Sequence, residues 1–231
     1  MLINLDQRFI AVYKIYFIIN HSFSLFLLSM NSKKAFILLN GSEPSTFPDL
    51  GNYDIVCAID GAYNNFEAKN ITPNLVTGDL DSIKTIPTTV EVIKTPNQEF
   101  TDFEKALQIL KHRGFSHIDV YGGSGKEHDH FLGNISTALQ WKMGLSISFF
   151  DDFGKYFFIE ESIIINNVKG KNISLIPFPT ANGIVTKGLK FQLNNETLSF
   201  GERIGTRNIA VEESVFIAFD NGELLVYISH K

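Results

Sequence analysis

The polarity pattern changes near residue 30 and again near residue 150. Between those points short apolar runs alternate with stretches of helical periodicity. Residues 35–39, 54–59, 75–77, 90–93, 118–121 and 146–150 read as strands, and several are apolar throughout, as strands covered on both faces must be. Residues 62–69, 102–113 and 130–143 read as helices. In the second of these Phe103, Ala106, Leu107 and Leu110 share a face, and Gly114 follows as a stop signal. The alternation predicts an α/β fold, with a mostly parallel Rossmann-like sheet and helices on both faces. Ligands of such sheets sit at the carboxyl ends of the strands. Beyond Asp151 the helical period disappears. Runs at 156–159, 162–165, 173–176, 184–186, 215–219 and 224–228 read as strands. Asp220-Asn221-Gly222 between the last two reads as a hairpin turn, since its residues tolerate positive φ. A C-terminal all-β sandwich domain is expected there, small enough to need packing on the first domain or dimerisation.

Three segments follow: an N-terminal extension over 1–29, an α/β domain over 30–150 and an all-β domain over 151–231. The extension is apolar from Phe9 to Met30, but Lys14, Asn20 and His21 interrupt it. A membrane span needs about 20 mostly apolar residues, and no small-residue cleavage site follows as a signal peptide requires. The stretch MNSKKAFILLNG from Met30 opens like a cytoplasmic α/β domain, so residues 1–29 are expected to lie outside the functional unit. A peripheral membrane anchor is the alternative.

Charge and cysteine content narrow the classes further. Lys and Arg total 20 against 25 Asp and Glu, a net charge of −5, and no dense basic run occurs. Nucleic-acid binding through a broad basic face is therefore not expected. A single cysteine, Cys57, excludes an internal disulfide framework and a cysteine-built zinc site. A cytoplasmic location without membrane contact is expected.

Polar residues recur at strand ends. Gly78-Asp79-Leu80-Asp81-Ser82 follows the run 75–77. Two carboxylates spaced i, i+2 beyond a strand suit Mg²⁺, which takes one or two carboxylates with phosphate oxygens and water; a polar turn is the plainer reading. Thr101-Asp102-Phe103-Glu104 has capping-box form, with Asp102 either complementing the helix dipole or serving as a third carboxylate. Tyr121-Gly122-Gly123-Ser124-Gly125-Lys126 ends another strand before Asp129-His130. It lacks the spacing of a P-loop, and its glycines suit either close approach to phosphate or a plain turn before a helix capped by Asp129.

Taken in order, four motifs are specific as a set: Asp60-Gly61-Ala62, Gly78-Asp79-Leu80-Asp81-Ser82, Gln98 with Thr101-Asp102-Phe103-Glu104-Lys105, and Asp129-His130-Phe131-Leu132-Gly133-Asn134. From about Lys34 to Tyr227 the sequence resembles the thiamine pyrophosphokinase family. Thr186-Lys187-Gly188-Leu189-Lys190-Phe191 and Thr206-Arg207-Asn208 extend the resemblance. It implies transfer of the pyrophosphoryl group of ATP to thiamine with Mg²⁺, in a homodimer. Asp79, Asp81 and Asp102 match the acidic positions around Mg²⁺, with Asp129 as a further catalytic carboxylate. Asp60, Gly61, Gln98, Lys105, Gly123, Gly125, Lys126 and His130 fall on the ATP side. Phe191, Arg207 and Asn208 fall on the thiamine side. Two positions depart from the pattern: Glu127 stands where the family usually has Arg, and Arg207 where it commonly has Ser. The rival readings are a Mg-dependent pyrophosphokinase acting on another heteroaromatic alcohol, such as a pterin, and a catalytically impaired binding relative.

Overall fold

The computed structural model describes residues 32–231. The expectations about residues 1–29 lie outside the described residues.

Strands β1 (Lys33–Leu38), β2 (Ile55–Ile59) and β3 (Leu75–Gly78) pair in parallel, and β4 (Glu91–Lys94) adds in parallel to β3 at the edge. On the other side β1 neighbours β5 (Phe115–Tyr121), which pairs in parallel with β6 (Ser146–Phe150). Side chains alternate across these strands. Ala35, Ile37, Ile55, Cys57 and Ile59 therefore share one buried cluster with α2 (Asp102–His112) and α3 (His128–Trp141). Phe36, Leu38, Val56 and Ala58 meet α1 (Ala62–Ala68) on the opposite face. In α2 the periodic residues Phe103, Ala106, Leu107 and Leu110 are all buried. Thr101 caps that helix, accepting from Glu104 N at 3.2 Å. The Glu104 carboxylate does not close the expected capping box; it is buried and accepts from Gln140 Nε2 and Trp141 Nε1 of α3.

The sheet continues past residue 150. Strand β7 (Gly154–Ile159) turns back antiparallel to β6, and β13 (Asn221–Ser229) pairs antiparallel to β7. Among the described residues all strands belong to one 13-stranded sheet, whose order from the edge begins β4-β3-β2-β1-β5-β6-β7-β13. The later part is organised around β9 (Asn172–Lys187), a 16-residue strand. The sequence had suggested two short runs at 173–176 and 184–186, because Pro177 and Pro179 between them break the ladder of an ordinary central strand. The structure accommodates Pro179 in a bulge, where residues 178–180 lie opposite the single residue Glu223, and Pro177 pairs with Leu224 at its edge. Strands β10 (Asn194–Ser199) and β11 (Gly205–Ile209) pair with the other edge of β9. Both are mostly polar, with half or more of their residues exposed, and are invisible to hydrophobic periodicity. Strand β8 (Ser162–Asn166) pairs with β12 (Ser214–Ala218) at the far end. A second buried cluster lies here, built from Ile165, Ile173, Leu175, Ile184, Leu198, Val215, Ile217 and Val226 among others.

Asp220-Asn221-Gly222 is not a hairpin turn. Strands β12 and β13 do not pair with each other; both run antiparallel to β9, and the pairing passes in register from Ala218↔Val185 to Asn221↔Asn182. The chain goes straight on, and Gly222 (φ 94°) serves the bulge instead of a reversal. The start of α3 also differs from expectation. The N-cap position falls on Glu127, without a side-chain cap bond, and Asp129 lies inside the first turn rather than capping the helix.

Candidate active site

The carboxyl ends of the parallel strands carry the polar motifs. Asp60 follows β2 with φ 46°, and Asp60 N donates to Thr77 O at 2.8 Å. Gly78 ends β3 with φ 144°; a Cβ there would lie 2.9 Å from Asp60 Cβ, so the two strand ends approach through this glycine. The result is a group of three carboxylates. One oxygen from each of Asp60, Asp79 and Asp81 lies within 4.8 Å of the others. Ser82 braces the group: its N–H donates to Asp60 Oδ1 at 3.4 Å and its hydroxyl to Asp81 Oδ1 at 2.9 Å. Asp79 is held below the usual carboxylate range, first by the Asp81 N–H, then by Gln98, whose amide reaches Asp79 Oδ2 at 3.4 Å, with the Lys105 charge adding to it. An all-oxygen donor set of ionised carboxylates fits a hard divalent cation such as Mg²⁺.

The expected set of Asp79, Asp81 and Asp102 is thus arranged differently. Asp60 joins the first two, while Asp102 pairs with Lys105 Nζ at 2.7 Å. Lys105 is buried and also donates to Thr95 O and Asn97 O.

The glycine-rich segment closes against the loop after β1. Gly41 N and Ser42 N donate to Gly122 O and Ser124 O at 2.8 and 2.7 Å. A Cβ on Gly122 would lie 2.3 Å from Leu39 O, and one on Gly125 2.3 Å from Ser42 Oγ. One on Gly123 would lie 2.8 Å from Phe149 Cδ1. Packing alone therefore requires these glycines. Asn134 of α3 ties the segment down, donating to Gly123 O at 3.0 Å. Lys126 reaches Asn40 Oδ1 at 3.4 Å, and Asn40 in turn crowds Gly61, where a Cβ would lie 2.7 Å from its Nδ2. Asp129 and His130 are exposed at the start of α3, and His130 Nδ1 lies 3.6 Å from the Glu127 carboxylate. Asn40 and Ser82 were missed as site residues. Their signal was present: each stands in a polar turn after a predicted strand.

A second feature lies on the β-rich part. Phe191, Arg203, Ile204, Arg207 and Asn208 line a depression of about 160 Å³ with Leu175 and Leu198. Phe191 is 66% exposed. Asn208 holds its backbone, accepting from Phe191 N at 3.0 Å and donating to Phe191 O at 2.6 Å. Arg207 has φ 54° and is fixed by Ser174 Oγ accepting from its N–H. Asn208 thus shapes the wall by orienting Phe191.

Two family models match in sequence order: the thiamin pyrophosphokinase catalytic domain over residues 50–149, and the thiamin pyrophosphokinase vitamin B1 binding domain over residues 161–224. The chain belongs to the thiamine pyrophosphokinase family. The first model contains the acidic group and the glycine-rich segment; the second contains Phe191, Arg207 and Asn208. Thiamine pyrophosphokinase 1 of Oryza sativa subsp. japonica is 28% identical over 170 residues, 64% of this chain and 63% of the rice protein. Thiamine pyrophosphokinase 1 of Arabidopsis thaliana is 27% identical over 88% of each chain. The fold is shared with the crystal structure of thiamine pyrophosphokinase from Bacillus subtilis (TM-score 0.75, 24% identity), covering 85% of this chain and 99% of that one.

Proposed function

We propose that this protein transfers the pyrophosphoryl group of ATP to the primary hydroxyl of thiamine, giving thiamine diphosphate and AMP. The observation that carries this reading is the grouping of Asp60, Asp79 and Asp81 at the ends of β2 and β3, inside the match to the family's catalytic domain. These carboxylates would hold Mg²⁺, which neutralises triphosphate charge when bound. Gln98 and Ser82 orient Asp79, Asp60 and Asp81. The demand on the protein is in-line positioning of the hydroxyl and the β-phosphorus, which needs rigid strand ends more than a strong base. Asp102 and Asp129 complete the acidic side of the crevice, with Gly61, Gly123, Gly125, Lys126 and His130 on the nucleotide side. Phe191 offers thiamine an aromatic face, with Asn208 holding its backbone and Arg207 on the same wall.

The division of labour follows the two family matches. Residues 30–150 bind the donor; residues 151–231, whose strands continue the same sheet, take thiamine and form a homodimer. A cytoplasmic location belongs to the same proposal. Among the described residues no helix is long and apolar enough to cross a membrane. The test is AMP formation from ATP and Mg²⁺ with thiamine, against a panel of other primary alcohols including a hydroxymethyl pterin. Thiamine-dependent AMP is expected. AMP with the pterin and none with thiamine, or none with any alcohol, would overturn the reading.

A further inference from the structure

A lysine beside a nucleotide site is ordinarily read as a point charge for phosphate. The surroundings of Lys105 assign it other work. Only 7% of its side chain is exposed. Its Nζ has three oxygens around it: Asp102 Oδ1 at 2.7 Å, Thr95 O at 2.8 Å and Asn97 O at 2.9 Å. Two of the three ammonium donors go to the carbonyls, and the contact with Asp102 is an ion pair that balances the charge. Two are main-chain carbonyls of the segment leaving β4, which Thr95 N also ties to Gly78 O at 2.8 Å. Gln98 comes next along the chain, with its amide on Asp79 Oδ2. The third partner, Asp102 Oδ1, is buried and accepts no hydrogen bond, so the Lys105 charge is what offsets it.

We propose that Lys105 is a positioning residue and not a phosphate ligand: it fastens residues 95–97 to the first turn of α2 and so sets Gln98 against Asp79. The proposal rests on reading the acidic group as the pyrophosphoryl-transfer site. Its charge is balanced within the protein by Asp102, and two of its donors are spent on the loop. Carbonyl oxygens at the end of an edge strand have no ladder partner of their own, so without the ammonium the segment is left with the Thr95–Gly78 backbone bond and the long Gln98–Asp79 contact as its ties to β3 and the loop after it. Small displacements of such a loop are enough to misplace groups around a reacting centre.

The experiment uses the full chain. In the wild-type protein, lysine acylation by a water-soluble succinimidyl ester, read by peptide mass spectrometry, should leave Lys105 unmodified with or without Mg-ATP. Modification of Lys105 in the free protein would overturn the proposal. In Lys105→Met, turnover should fall about 100-fold with the ATP dissociation constant changed less than about threefold. Without any substrate, hydrogen exchange at amides 97–100 should speed up by about tenfold. ATP binding weakened about tenfold with exchange at those amides unchanged would overturn it, because a lost phosphate contact lowers affinity without loosening the loop. If Lys105→Met does not fold, wild-type acylation still decides. The acylation of the free protein and the exchange measurement need no turnover. A wild-type protein that releases no thiamine-dependent AMP would therefore defeat the functional reading while leaving both arms interpretable.

Discussion

Asp60, Asp79 and Asp81 crowd within 4.8 Å of one another at partly or fully exposed positions. Like charges at that separation repel, more strongly near protein than in open water, so the grouping opposes folding and favours a bound cation. Asp81→Asn should therefore lower pyrophosphoryl transfer by about 100-fold or more while leaving stability unchanged or raised within about 0.5 kcal/mol. AMP release and thermal unfolding check the two halves; retained activity would remove Asp81 from the site. Asp79 and Asp81 were legible as a pair, because the i, i+2 spacing after a predicted strand is a local property. Asp60 was placed at the same crevice by the family resemblance, but its contact with that pair is not a local property. It comes from a different strand end and reaches the others only because Ile59 of β2 pairs with Thr77 of β3. The glycine-rich segment shows the converse. Its composition suggested a phosphate cradle, yet Gly122 and Gly125 are also demanded by contact with Leu39 and Ser42.

At the scale of elements, the predicted parallel strands and helices fall close to where periodicity placed them, and 146–150 coincides with β6. Apart from the edge strand β4, those elements carry buried side chains on their core faces, and burial writes the pattern. Strands β10 and β11 left no such pattern, since they lie exposed along β9 and are specified by its edge. The Asp220-Asn221-Gly222 segment misled for a related reason: positive φ is equally the requirement of a turn and of a bulge. The bulge makes its own prediction. A Cβ on Gly222 would lie 2.1 Å from Thr180 O, at φ 94°. Gly222→Ala should destabilise the protein by roughly 1–3 kcal/mol. An Asn221→Ala control, on an exposed residue, should cost less. Equal urea midpoints for the two variants would contradict the bulge geometry.

The described residues are joined by one sheet and, across β6 and β7, by aromatic stacking. Phe149 and Tyr156 stack at 5.0 Å, Tyr156 and Tyr227 at 6.4 Å. Burial raises the Tyr156 phenol above its ordinary value, with the Asp151 charge adding to it, and burial and Asp119 do the same for Tyr53. The folded state thus keeps these phenols protonated where the unfolded chain ionises, near pH 10. Their contribution is full below that pH and is lost as pH rises from it toward the folded values. Unfolding free energy from urea titrations should fall steeply above about pH 10, and less steeply in Tyr156→Phe; identical slopes would show that Tyr156 is not part of the cause.

The amino-acid sequence by itself determined the order of strands and helices in the first part, the acidic and polar strand ends, and membership of a family whose motifs recur in order. These are recorded locally, because a buried face or a strand-end carboxylate needs only its neighbours in the chain to be recognised. The tertiary structure alone decided which carboxylates meet, that Lys105 spends its ammonium on a loop, and that β12 runs on into β13 along β9. Each of these depends on which strands lie side by side, a choice made by the packing of all faces at once and written in no single stretch of residues.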